Sequence, residues 1–211
     1  MRTKYEKTDP ERAGSLGYYY YLIGDNLSIL SRFPIASTIK LYKSFRFGGA
    51  VLDVGGGKQL AFLDVWLDYR GYERQQEDVQ GLKDLGKLLK QLNMPALAVG
   101  DFNIRSHMDF RPGDDWYSPN MEKKDYSSRF MASLGFKDSY RVLFPDVRKK
   151  PGFTFSPALY NEVKTERLKR IDFIYYRGQE FLPFNSVVLS QHPVFWPSDH
   201  SSVITWFQMN W

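Results

Sequence analysis

Four short stretches of this chain place polar side chains at the end of an apolar run. They occupy residues 27–35, 99–103, 170–176 and 198–203. A short apolar run indicates a buried strand, and the polar residues beside it lie where the strand gives way to a loop. Carboxylates, an amide and an imidazole that follow one another in this way indicate a site that cleaves phosphate esters.

Asp101 and Asn103 lie two positions apart, on either side of Phe102 and just past a predicted strand. If the strand geometry persists, both side chains point the same way while Phe102 points into the core. A carboxylate and an amide that face one spot can orient a water molecule and hold a phosphate oxygen. The structural alternative is an Asx-turn that ends the strand.

Asp172 lies inside the apolar run at residues 170–176, where an aspartate is unusual. Because burial of an unpaired carboxylate is costly, this residue requires a partner. His200 precedes the final apolar run and is a natural partner, since an Asp–His pair fixes the tautomer of the imidazole and raises its basicity. We therefore predict a hydrogen bond between the two side chains, with heavy atoms roughly 2.6–3.2 Å apart.

The composition fits one domain with a substantial core and restricts the chemistry. Of the 211 residues, 43% are hydrophobic and 17% are aromatic, and aromatic side chains are typical of sheet cores. The net charge of +5 is compatible with a polyanionic substrate but does not establish one. The absence of cysteine excludes disulfides and thiolate metal sites, and no apolar run approaches the roughly 18 residues that span a bilayer.

Hydrophobic periodicity predicts strands mixed with a few helices. The predicted strands occupy residues 17–22, 27–30, 50–54, 58–67, 96–99, 171–176 and 202–207, the last two being the final strands of the chain. The predicted helices occupy about residues 73–93 and residues 126–134, and a loop-rich region covers residues 142–169. This pattern favours a layered α/β sandwich in a single domain.

The four stretches resemble the later motifs of the endonuclease/exonuclease/phosphatase superfamily, the metal-dependent phosphoesterases similar to DNase I. The resemblance covers residue 17 to the C-terminus. Its closer likeness is to bacterial members of undetermined substrate, through residues 135–141, 151–157 and 196–200. It implies one domain over residues 1–211 with an α/β fold, a two-layer β-sandwich flanked by helices. The amino-terminal strand–helix–strand portion of the family has no counterpart in this sequence.

The resemblance implies hydrolysis of a phosphodiester or a phosphomonoester, with four catalytic residues: His200, Asp172, Asp101 and Asn103. Asp172 would orient His200. Asp101 would position or deprotonate the attacking water, and Asn103 would steady the phosphate. The expected partner is a phosphodiester substrate such as nucleic acid.

The same resemblance implies a divalent metal ion held by Asp199 and Asp101. Mg²⁺, or Mn²⁺ in its place, is expected because hard carboxylate and amide oxygens surround the site and the chain has no cysteine. The metal would neutralise the charge that builds on the phosphoryl oxygens.

Three further residues are candidates for contact with the substrate. His107 lies in a Ser-His-Met-Asp stretch that is similar to one in the bacterial subgroup. Arg32 could approach a phosphate, although the family uses its segment mainly as a structural strand end. Trp66 stands where many relatives carry a histidine that contacts the scissile phosphate. Tryptophan cannot transfer protons in catalysis, but its N–H can donate a hydrogen bond.

Departures from the family leave other functions open. The first strands of the family carry an asparagine and a metal-binding glutamate, and neither Glu6 nor Glu11 is followed by a matching strand. Together with Trp66, this favours as an alternative a truncated or degenerate member that folds and binds phosphate ligands without efficient catalysis. A further alternative is an enzyme that acts on phospholipids or sugar phosphates. Missing strands would also leave an exposed sheet edge, which predicts a homodimer.

Overall fold

The computed structural model describes residues 9–24, 26–40, 46–70, 72–110, 126–155, 168–194 and 196–211. The helices are α1 (Asp9–Ser15), α2 (Tyr72–Leu92), α3 (Tyr126–Ser133) and α4 (Ser139–Leu143), with a short 3₁₀ helix at His107–Asp109. The strands are β1 (Tyr19–Ile23), β2 (Leu27–Ser31), β3 (Ile35–Ile39), β4 (Phe47–Gly55), β5 (Lys58–Trp66), β6 (Ala96–Asp101), β7 (Lys137–Asp138), β8 (Asp172–Arg177), β9 (Phe181–Leu189) and β10 (Ser202–Met209).

The described strands form one six-stranded sheet and two antiparallel hairpins. The large sheet has the order β3-β4-β5-β6-β8-β7, in which β5 and β6 are parallel. The hairpins are β1 with β2 and β9 with β10. Both hairpins pack on one face of the large sheet, where they bury a core that includes Ile29, Leu52 and Phe181. The predicted two-layer β-sandwich is therefore confirmed.

Helices α2 and α3 cover the opposite face of the large sheet, as the sequence predicts. Leu89 of α2 and Met131 of α3 share a second core with Leu63 of β5. Gly86 allows the two helices to approach closely, because a Cβ atom there would lie 2.7 Å from a side-chain carbon of Leu134. Among the helices within the described ranges, none combines the length and apolar composition needed to cross a membrane.

The expectation that residues 171–176 and 202–207 form the last two strands is wrong, because β9 lies between them. Pro183 lies inside β9, and a proline removes a backbone donor and argues against a strand. The structure tolerates Pro183 because β9 pairs with β10 alone among the described strands, and the pairing skips one residue beside the proline. Residues 156–167 of the predicted loop-rich region, and Glu6, lie outside the described residues; Glu11 is exposed in α1.

Candidate active site

The candidate site lies at one end of three inner strands of the large sheet, where β5 and β6 end and the antiparallel β8 begins. Trp66 is in register with Asp101, and Asp101 is in register with Asp172. Residues paired in this way project from the same face of a sheet. Leu97 and Tyr176, an even number of positions away on β6 and β8, belong to the core under the hairpins. The three site residues therefore face the hairpin layer.

His200 completes the cluster from the loop that precedes β10. Its Nδ1 lies 2.9 Å from Asp172 Oδ2 and 3.2 Å from Asp172 Oδ1, so the predicted hydrogen bond is present. A carboxylate can only accept, which makes Nδ1 the donor and leaves Nε2 able to accept a proton. One ligand-type atom from each of Asp101, Asp172 and His200 lies within 4.8 Å of the others.

Negative charge is concentrated around the imidazole. The hydrogen bond to Asp172 raises the pKa of His200, and although burial lowers it, the charges of Asp172, Asp101 and Asp199 add to the increase. Burial, followed by the charge of Asp172, raises the pKa of Asp101 from 3.8 to about 6. Close carboxylates that repel one another in this way are stabilised by a bound cation.

Asn103 holds the Asp101 carboxylate in place. Its backbone N–H donates to Asp101 Oδ1 at 2.8 Å, which forms the Asx-turn that the sequence left as an alternative. Its side-chain Nδ2 donates to Asp101 Oδ2 at 2.8 Å and to the carbonyl of Leu67 at 2.9 Å. Gly100 permits this turn, since it has a φ of +131° and a Cβ atom there would lie 2.0 Å from the carbonyl oxygen of Val65. The Asx-turn therefore forms part of the candidate site, because it orients the Asp101 carboxylate.

A buried network of ion pairs fixes the chain that leads into β8. Arg170 Nη2 lies 2.8 Å from Asp109 Oδ1 and 2.7 Å from Asp138 Oδ2. Arg141, which is 1% exposed, donates from Nε to Asp109 Oδ1 at 3.0 Å. Burial opposes the charge of Arg170, but the carboxylates of Asp138 and Asp109 outweigh it and hold the pKa of Arg170 above its usual range. The network therefore anchors the segment two residues before Asp172.

Two other predicted residues lie beside the cluster. Asp199 is exposed next to His200, and its charge acts on the imidazole. Trp66 is half-buried in register with Asp101, and the guanidinium carbon of Arg46 lies 4.9 Å from the centroid of its ring. Both residues lie where they could contact a ligand bound at the ends of β5 and β6.

His107 and Arg32 have other described contacts. His107 is half-buried in the 3₁₀ helix, where its Nδ1 pairs with the hydroxyl of Ser128. Arg32 is exposed after β2, and its Nε donates to the hydroxyl of Tyr18 at 3.0 Å. The structure therefore does not join either residue to the cluster through a described hydrogen bond or ion pair.

Two residues beside the site were not predicted. Arg46 stacks on Trp66 and also pairs with Asp68 at 3.0 Å, a contact between distant positions with no local sequence pattern. Thr154 is fully buried, and its hydroxyl accepts the backbone N–H of Asp172 at 3.1 Å. Thr154 lies within residues 151–157, a stretch that resembles bacterial members of the family. That resemblance was the one sequence signal that pointed to this segment.

The chain is similar to proteins of known family and structure. The sequence model of the Endonuclease/Exonuclease/phosphatase family matches residues 4–200. The 3′ phosphatase NExo from Neisseria, solved with a product DNA hairpin, matches 99% of this chain and 86% of its own, with a TM-score of 0.68 and 18% identity. An AP endonuclease from Archaeoglobus fulgidus matches 97% of this chain and 85% of its own, with a TM-score of 0.70 and 18% identity.

A curated relative matches over a shorter region. An uncharacterised protein of Caenorhabditis elegans is 28% identical over 130 residues, which cover 53% of this chain and 40% of that protein. The match thus spans less than half the length of that relative. The likeness to the solved structures shows the fold, a DNase I-like α/β sandwich.

Proposed function

Because this chain belongs to the endonuclease/exonuclease/phosphatase family, whose members are hydrolytic phosphoesterases, we propose that it hydrolyses phosphodiester bonds with the help of a divalent metal ion. The observation that carries the proposal is the cluster of Asp101, Asp172 and His200 where β6 ends and β8 begins. It combines a carboxylate of raised pKa with a hydrogen-bonded Asp–His pair. Such groups can position a water molecule and exchange protons with it.

The residues of the cluster and the neighbouring Asn103 have separate tasks in the proposed reaction. Asp172 fixes the ring of His200, so that Nε2 can hold a proton near a phosphate oxygen. Asp101, with a pKa of about 6, is ionised at neutral pH and orients or deprotonates the attacking water. Asn103 keeps the Asp101 carboxylate oriented, a different role from the phosphate contact that the resemblance implies.

The donor set fits a divalent metal ion. Carboxylate oxygens of Asp101 and Asp172 lie close together, and the exposed Asp199 carries a third carboxylate whose charge acts on His200. Oxygen donors of this kind suit Mg²⁺ or Mn²⁺. We assign the metal to Asp101 and Asp199, because Asp172 already accepts from His200. When bound, the metal would neutralise charge on the phosphoryl oxygens.

The experiment is hydrolysis of bis(p-nitrophenyl) phosphate by the purified chain, with Mg²⁺, with Mn²⁺ and with EDTA. We expect turnover that requires the metal and that falls on the order of 10²–10⁴-fold in His200→Ala. His192→Ala is the matched control, because His192 is exposed and its Nδ1 accepts the N–H of Val194. Turnover that persists in EDTA, or equal loss in both variants, would contradict the proposal. The monoester p-nitrophenyl phosphate tests the alternative bond type.

A phosphate-binding protein without catalysis is the second candidate. The observation that favours it is Trp66, which stands in register with Asp101 but cannot transfer a proton. This candidate predicts that Mg²⁺ raises the melting temperature by mass action while no phosphodiester is cleaved. For the substrate, the net charge of +5 favours a nucleic acid over a sugar phosphate, and an oligonucleotide assay beside sugar phosphates and phospholipids tests this preference.

A further inference from the structure

Thr154 joins the two segments that carry the Asp172–His200 pair. It is fully buried, and its carbonyl accepts the N–H of Ser201, the residue after His200, at 2.7 Å. Its hydroxyl oxygen accepts the N–H of Ile171 at 3.0 Å and the N–H of Asp172 at 3.1 Å. The side chain of Thr154 therefore contacts the segment that carries Asp172, and its backbone contacts the segment that carries His200.

The chain around Thr154 is also fixed to these two segments. The backbone N–H groups of Thr154 and Phe155 donate to the carbonyl of Lys169 at 2.8 Å and 3.0 Å. Phe155 forms antiparallel bridges with Lys169 and with His200. The ring of Phe155 lies edge-on to the imidazole of His200, with centroids 5.2 Å apart and an interplanar angle of 73°. A displacement of this segment would therefore move both partners of the pair.

We propose that Thr154 is a positioning residue, whose hydroxyl sets the place of Asp172 relative to His200 and thereby the ring nitrogen that carries the proton. The hydroxyl satisfies two backbone N–H groups in a buried setting, where an unsatisfied donor is unfavourable. Residues that hydrogen-bond to a reacting pair without contacting the substrate commonly control the orientation of that pair. The catalytic consequence rests on the proposed phosphodiester hydrolysis, whereas the control of the tautomer does not.

Two variants separate the hydroxyl from the shape of the side chain. Thr154→Val keeps the shape and removes the hydroxyl, and Thr154→Ser keeps the hydroxyl. Long-range ¹H–¹⁵N spectra of the histidine rings, recorded at one pH without substrate, report which nitrogen is protonated. We expect the Nδ1–H form of His200 in the unmodified protein and in Thr154→Ser, and its loss in Thr154→Val. His192 supplies the reference signal for the Nε2–H form, since its Nδ1 accepts the N–H of Val194 at 3.2 Å.

Kinetics on bis(p-nitrophenyl) phosphate give the second readout. We expect kcat of Thr154→Val to fall on the order of 10–100-fold with KM nearly unchanged, and Thr154→Ser to restore it. A folded Thr154→Val protein with the original His200 spectrum would overturn the proposal. If Thr154→Val does not fold, Thr154→Ala removes the hydroxyl from a smaller side chain, and an unchanged His200 spectrum in that variant overturns the proposal equally. Absence of turnover in the unmodified protein would refute the proposed function, while the spectra still decide the role of Thr154.

Discussion

Replacement of Asp101 by asparagine should change the stability of the metal-free protein in a pH-dependent way. Folding raises the pKa of this carboxyl from 3.8 to about 6, through burial and then the charge of Asp172. A group whose pKa is raised by folding stabilises the folded state below its unfolded-state pKa, and this contribution is lost as the pH rises through the folded-state value. Above about pH 7, the ionised Asp101 therefore opposes folding.

The magnitude follows from these two pKa values. Each pKa unit corresponds to about 1.4 kcal/mol. The difference between 3.8 and about 6 therefore favours Asp101→Asn by about 3 kcal/mol at pH 8, about 2 kcal/mol at pH 5 and less than about 1 kcal/mol at pH 4. The variant loses the hydrogen bond from Asn103 Nδ2, which contributes about 1 kcal/mol. We expect a net gain of about 2 kcal/mol at pH 8 and a slight loss at pH 4.

The assay is urea unfolding at pH 4, 5 and 8, followed by tryptophan fluorescence. EDTA is included because bound Mg²⁺ would stabilise the unmodified protein by mass action and obscure the comparison. Asp84→Asn is the matched control: Asp84 is exposed on α2, and its substitution should change the free energy of unfolding by less than about 0.5 kcal/mol at each pH. A gain for Asp101→Asn that is the same at pH 4 and pH 8 would refute the reasoning.

Three other predictions concern the buried network, Trp66 and the sheet edge. Arg170→Met removes the buried ion-pair partner of Asp138 and leaves Asp109 paired with Arg141 alone. It should lower the free energy of unfolding by about 3–5 kcal/mol in urea titrations, and a loss as small as that of the exposed Arg32→Met would contradict this. Trp66→His places an imidazole in register with Asp101 and should raise phosphodiester turnover, so a lower rate would count against it. Sedimentation equilibrium should show a dimer, which we expect to form through a strand such as β10 that pairs with one strand only among the described residues; a monomer at every concentration would refute dimerisation.

Features with a local cause could be predicted from the sequence. The hairpin of β4 and β5 forms at Gly55, Gly56 and Gly57, which all adopt the positive φ that glycine accepts readily. The bond between Asp172 and His200 could be predicted because a carboxylate inside an apolar run requires a partner. In both cases the need for a turn or for a partner is visible within a few neighbouring residues, although the partner His200 itself lies 28 positions from Asp172.

Features that depend on distant contacts could not be predicted. Arg170 and Asp109 are 61 positions apart, and their pairing has no periodic pattern that would reveal it. The position of Thr154 beside Asp172 likewise depends on how the intervening chain returns to the sheet. The strand β9 was missed for a different reason, because Pro183 is unfavourable in most strands and is tolerated only at an edge.

The most direct test of the central claim is the location of Mn²⁺ in crystals of the protein grown with Mn²⁺ and inorganic phosphate. Anomalous scattering identifies the ion without reference to activity. We predict a peak at roughly 2.0–2.3 Å from a carboxylate oxygen of Asp101, with phosphate within hydrogen-bond distance of His200 Nε2. Mn²⁺ and phosphate bound at another surface, at concentrations that saturate the protein, would contradict a phosphate-cleaving centre formed by Asp101, Asp172 and His200.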